Sequence, residues 1–89
     1  MADKQPTQAQ TLRAIRALGL TANVRNREYR ITFPIDSCLN LLIRADAASA
    51  TVANARRKAE AIAYYTNDRQ DAIDTARFMS NRLPLKVRA

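Results

Sequence analysis

The stretch from residue 60 to residue 79 constrains this chain most, because alternation, capping and charge agree there on a short strand running into a helix. Ile62, Tyr64 and Thr66 alternate with Ala61, Ala63 and Tyr65, and β-branched and aromatic side chains favour an extended backbone. Thr66, Asn67 and Asp68 then offer polar side chains to the orphan N–H groups of a helix start. Asn67 with Gln70 approximates a capping box, and Asp68 and Asp71 place negative charge at the positive end of the helix dipole. Ala72, Ile73, Ala76, Met79 and Leu83 recur at three- and four-residue spacing and form one apolar stripe, which Pro84 terminates. Phe78 falls off that stripe. Either the tail from Leu85 to Val87 folds back over it, or it is an exposed aromatic at a partner surface.

Upstream, Thr7 and Gln10 fit a capping box for a helix that carries Leu12, Ile15 and Leu18 on one face. Gly19, the single glycine, stands where a helix end needs a left-handed residue, and Leu20 should then touch Ile15. Residues 21–25 and 28–33 read as a hairpin around Asn26-Arg27, with Tyr29, Ile31 and Phe33 on one face and Glu28, Arg30 and Thr32 on the other. Residues 34–59 are ambiguous by pattern. The run from Cys38 to Ile43 fits a third strand or a helix capped by Asp36, and we expect a strand or short turn followed by a helix over about residues 47–58. The expected fold is α+β: an antiparallel sheet of three to four strands, two helices packed on one face, in the order α-β-β-x-β-α. Residues 1–6 should be disordered, 7–83 should form a single domain, and 84–89 a basic tail.

The chain has 89 residues, of which 17 are Ala, and Leu, Ile, Val and Phe together number 19, so its core is thin and a homodimer sharing a face is a reasonable expectation. One cysteine, Cys38, rules out an intrachain disulfide and suits a reducing cytoplasm. No apolar run approaches a membrane span, and the first residues do not read as a signal peptide. There is no histidine, one cysteine cannot build a zinc site, and a single glycine cannot form a phosphate-cradling loop. Asp68, Asp71 and Asp74 share part of a helix face, but carboxylates there read as cap and dipole partners before they read as a cation site. The expectation is a non-enzymatic protein without a cofactor or metal.

The formal charge is +7, and 12 of the 15 cations are Arg, whose planar fork suits phosphate. GC-rich coding also enriches Arg and Ala together, so charge alone does not decide the ligand. Arg13, Arg16, Arg25, Arg27 and Arg30 are the candidate nucleic-acid contacts, from the first helix and the hairpin. Arg56, Arg57 and Lys58 ahead of the third strand and Arg82, Lys86 and Arg88 in the tail are further basic groups for a phosphate-facing surface, with Tyr29, Tyr64 or Tyr65 as stacking candidates. Tyr29 shares the Ile31/Phe33 face and reads as core first. The alternative is a protein-interaction module, self-associating, with Phe78 at the contact.

The helix, strands, helix order is similar to that of double-stranded RNA-binding domains. The last helix here starts with Thr66-Asn-Asp-Arg-Gln-Asp71, which is acidic where that family is Lys-rich, and the family's histidine loop is missing, so none of its residues carry over. The segment Ala63-Tyr-Tyr-Thr-x-Asp-x-x-Asp-Ala-x-x-Thr-Ala76, with Glu28-Tyr-Arg-Ile-Thr-Phe33 upstream, resembles small uncharacterised proteins of bacterial phages and prophages. Residues 34–59 look like an insertion against that pattern. The resemblance implies a mobile-element accessory protein and brings no functional residue with it.

Overall fold

A computed structural model describes residues 5–83. Helix α1 (Gln8–Ala17) is closed at its start by the expected capping box: Thr7 Oγ1 accepts from the Gln10 backbone at 3.1 Å, and Gln10 Oε1 accepts from the Thr7 backbone at 2.9 Å. Gly19 takes φ +88° just past the helix end, and the buried Leu20 and Ile15 join one cluster. Strands β1 (Thr21–Arg25) and β2 (Glu28–Thr32) pair antiparallel around Asn26 (φ 52°) and Arg27 (φ 66°). Two successive positive φ values define a type I′ turn, whose twist matches that of the flanking strands. Strand β3 (Tyr64–Thr66) pairs with β2, so the sheet order is β1-β2-β3.

Helix α4 (Arg69–Ser80) buries Ala72, Ile73, Ala76 and Met79 of the stripe read from the spacing, but it ends at Ser80, before the stop expected at Pro84, so Leu83 packs half-buried on the core from beyond the helix. It packs with α1 over the face of the sheet that carries Ala22, Tyr29 and Ile31. Its cap differs from expectation by one residue. Asp68, not Asn67, accepts the backbone N–H groups of Gln70 (2.8 Å) and Asp71 (3.1 Å), because it stands directly before the first helical residue, where a side-chain oxygen meets the N–H groups two and three residues on.

The middle of the chain corrects the expectation of a fourth strand. Residues from Cys38 to Ile43 lie inside helix α2 (Ile35–Ala45), and the sheet has three strands among the described residues. Ile35, Cys38, Leu39 and Leu42 stand at helical spacing and turn one stripe to the core, which a strand would have split between two faces. A short 3₁₀ turn (Ala47–Ser49), capped by Asp46, follows. Helix α3 (Val52–Ala61) therefore starts later than expected, at its cap Thr51, and runs on through Glu60. That extension shortens β3 to three residues. Ala55 and Ala59 are fully or almost fully buried, and their small side chains let α3 lie close against α2. The fold is α+β, with α1 and α4 on one face of the sheet and an α2–α3 hairpin added. The tail expected over Phe78 lies outside the described residues.

Two turn positions make opposite predictions. A Cβ at Gly19 meets nothing closer than Leu83 Cδ1 at 3.5 Å, so Gly19→Val costs stability through backbone strain, about 1 kcal/mol or more. Arg27 adopts the same left-handed region without being glycine, so Arg27→Gly should gain about 1 kcal/mol. Urea denaturation of the two variants against the parent checks both signs.

Candidate nucleic-acid interface

Pairing register sorts the polar residues of the sheet. Opposite the helix-covered face, Asn23, Arg30 and Tyr65 stand in one row across all three strands. Thr21 and Thr32 form the neighbouring row, where their hydroxyls contact each other, and Arg25 and Glu28 form the row next to the turn. This open face bears a broad shallow depression of about 820 Å³, floored by Asn23, Arg30 and Tyr65 and edged by Arg25, Asn26 and Asn67. A second depression, about 520 Å³, lies between the Thr21–Thr32 end and α3, where Arg56, Arg57 and Glu60 line it.

Glu60 is the link between the two. Its carboxylate accepts from Arg30 Nη2 on one oxygen and from the Tyr65 hydroxyl on the other, and Arg30 Nε donates to Tyr65 Oη at 3.3 Å. The Arg30 hydrogen bond, then that of Tyr65, holds the Glu60 carboxyl below the usual carboxylate range, and Glu60 in turn holds Arg30 more firmly protonated. Two of the five guanidinium donors are engaged along one edge, leaving three, among them the outer fork of Nη1 and Nη2.

The five arginines proposed from sequence do not form one cluster. Arg25 and Arg30 share the open face, and Arg27 sits at the turn, where it lines a small depression of about 270 Å³ with Asn67 and Arg69. Arg13 and Arg16 line a separate depression on α1. Arg16 Nη2 donates to the Ala22 carbonyl at 2.8 Å, an intramolecular use of its charge. Of the further basic groups, Arg56 and Arg57 stand beside the sheet where these two do not, brought there by the path of α3. The stacking candidate Tyr65 is on the open face, and Asn23 is the residue sequence reasoning missed, its place set by the strand register.

Of the aromatic candidates, Tyr29 is core at 3% exposure, and Tyr64 turns toward α4, where its hydroxyl donates to Asp71 Oδ2 at 2.7 Å. That bond raises the Tyr64 pKa and lowers that of Asp71. Asp68 caps α4 and Asp74 meets Gln70 and Arg77, so the three aspartates act as cap and surface partners. Cys38 is fully buried, and desolvation pushes its thiol pKa up, so it packs as a small apolar side chain. Among the described residues no helix is long and apolar enough to cross a membrane. Phe78 is 64% exposed and borders an apolar cleft of about 540 Å³ with Phe33, Leu41, Ile62, Tyr64 and Met79. No protein-family model, no curated protein and no solved structure matches the chain.

The lowered carboxyls give a pH prediction. A carboxyl whose folded pKa is depressed binds protons more readily unfolded, so its contribution is present above the ordinary value and fades as pH falls through the folded one. Stability from denaturant titrations should therefore decline as pH drops below about 4, less so in Glu60→Gln than in the parent. An identical decline in both proteins would show that the Arg30–Glu60–Tyr65 link contributes nothing to it.

Proposed function

We propose that this chain is a non-enzymatic nucleic-acid-binding protein that grips the phosphate backbone through the open face of its sheet. One observation carries the reading: arginines from separate segments, Arg25 and Arg30 of the hairpin and Arg56 and Arg57 of α3, border the sheet face that α1 and α4 leave uncovered, floored by amide, hydroxyl and phenol groups, with Arg27 at the adjoining turn. Glu28 and Glu60 are the acids beside it, and Glu60 is bound to Arg30. The net charge of +7 supplies long-range attraction to a polyanion. An accessory role in a phage or mobile element fits the resemblance of the 63–76 segment.

Neutralising four phosphates with Arg25, Arg27, Arg56 and Arg57 would give a log–log salt slope of about −3.6, or roughly 100-fold weaker binding between about 50 and 200 mM salt. Fluorescence anisotropy with labelled DNA and RNA should show this slope at micromolar or tighter affinity, and Arg25→Ala with Arg56→Ala should flatten it. Absence of binding at the lower salt concentration would end the reading.

A second reading, self-association in a protein-interaction module, rests on Phe78 at the mouth of the apolar cleft. It expects a concentration-dependent dimer in sedimentation velocity that Phe78→Ala abolishes. A strict monomer at high concentration, unaltered by that substitution, removes it.

A further inference from the structure

The open face is a sheet surface with a broad shallow depression, and its dimensions and chemistry select among nucleic acids. Neighbouring strands lie about 4.8 Å apart, so three of them span about 10 Å between outer axes. At the turn end only β1 and β2 continue, since β3 pairs with no residue beyond Tyr29 on that side. The row Asn23–Arg30 lies where all three strands pair, and the Arg25–Glu28 pair with the turn extends beyond it as a two-stranded tip. The sheet thus tapers toward the end that would enter the major groove of B-form DNA, about 12 Å wide and open to a two-stranded β-ribbon. A-form RNA offers a deep, narrow major groove that side chains cannot read. Single strands are bound by successive bases stacking on several aromatic side chains. Here the open face carries Tyr65 alone, with its hydroxyl fixed on Glu60, while Tyr29 is buried and Tyr64 faces α4.

We propose, building on the nucleic-acid reading above, that the ligand is duplex DNA and that the row Asn23–Arg30 reads base edges in its major groove. Both residue types match an edge found there: an asparagine amide pairs bidentately with adenine N6/N7, and a guanidinium fork with guanine O6/N7. Asn23 is exposed at the centre of β1, directly opposite Arg30. Glu60 and Tyr65 hold one edge of the Arg30 guanidinium and leave the Nη1/Nη2 fork open, which fixes its orientation before DNA arrives. Around this row the exposed cations stand at the two ends of the ribbon, Arg25 and Arg27 at the turn, Arg56 and Arg57 on α3. Charge outside and donor–acceptor groups inside is the division of labour a groove requires. Arg27 occupies a left-handed backbone that glycine adopts without strain, so replacing it by glycine removes the charge without distorting the turn.

The test is selection from a random duplex DNA library, followed by anisotropy on the enriched duplex, a scrambled duplex, single-stranded DNA and duplex RNA. Expected is an enriched sequence bound at least about tenfold tighter than either single-stranded DNA or duplex RNA. Asn23→Ala and Arg30→Lys should each lose about five- to 150-fold discrimination against the scrambled duplex, with the salt slope unchanged. Asn23→Thr, a better strand former, should lose the same discrimination while retaining parental stability, which separates lost reading from lost fold. Arg27→Gly should weaken all duplexes alike and reduce the slope by about one unit. Equal or tighter binding to RNA or single strands, or discrimination that survives both Asn23 variants, overturns this inference and leaves phosphate binding intact. Binding to none of the four probes overturns the underlying function as well.

Discussion

A two-residue turn with both central residues at positive φ sets the register of the β1–β2 ribbon together with apolar burial on one face, and register decides which side chains meet the helices. With Arg25 opposite Glu28, Ala22, Tyr29 and Ile31 point into the core, and Asn23 and Arg30 point away from it. A slip of one residue would exchange the two sets and drive Arg30 under α4, at a desolvation cost the thin core could not offset. The packing of α1 and α4, the position of β3 and the polar make-up of the open face all inherit this single choice. A weaker turn pair than Asn-Gly carries it, so apolar burial on one face and the turn must enforce the same answer together.

Local signals were legible wherever one physical requirement acted alone. The Thr7–Gln10 capping box, the left-handed Gly19, the Tyr29/Ile31/Phe33 alternation and the α4 stripe each depend on neighbours within a few residues, and each is found where the spacing puts it. Residues 34–59 were not legible, because a short apolar run satisfies a buried strand and a buried helix equally until its partner is known. In α2 the partner is α3, and the close approach permitted by Ala55 and Ala59 is invisible in any propensity. The same long-range dependence governs how the candidate interface is put together. Arg25, Arg27 and Arg30 follow from the hairpin alone, whereas Arg56, Arg57 and Glu60 come beside them only through the path of α3.

The link through Glu60 joins these two levels. One carboxylate fastens the C-terminal turn of α3 to the middle strand and to β3, and it also decides which donors of Arg30 stay available. Each partner is exposed enough that the link adds little to stability by itself. Its larger effect is geometric: a guanidinium held along one edge loses less rotamer freedom when it meets an acceptor than a free one does. A thin, alanine-rich core and a rigid polar surface are thus served by the same helix.

The bond from Arg16 to the Ala22 carbonyl has a consequence for assembly. β1 is an outer strand, and such margins invite another chain to extend the sheet. A guanidinium seated on that margin occupies a carbonyl near the start of the strand and brings a positive charge that a second copy of the same basic chain would meet head-on. Growth of the sheet past β1 is thereby discouraged, and lateral pairing of copies is left to the short β3 edge or to helical surfaces.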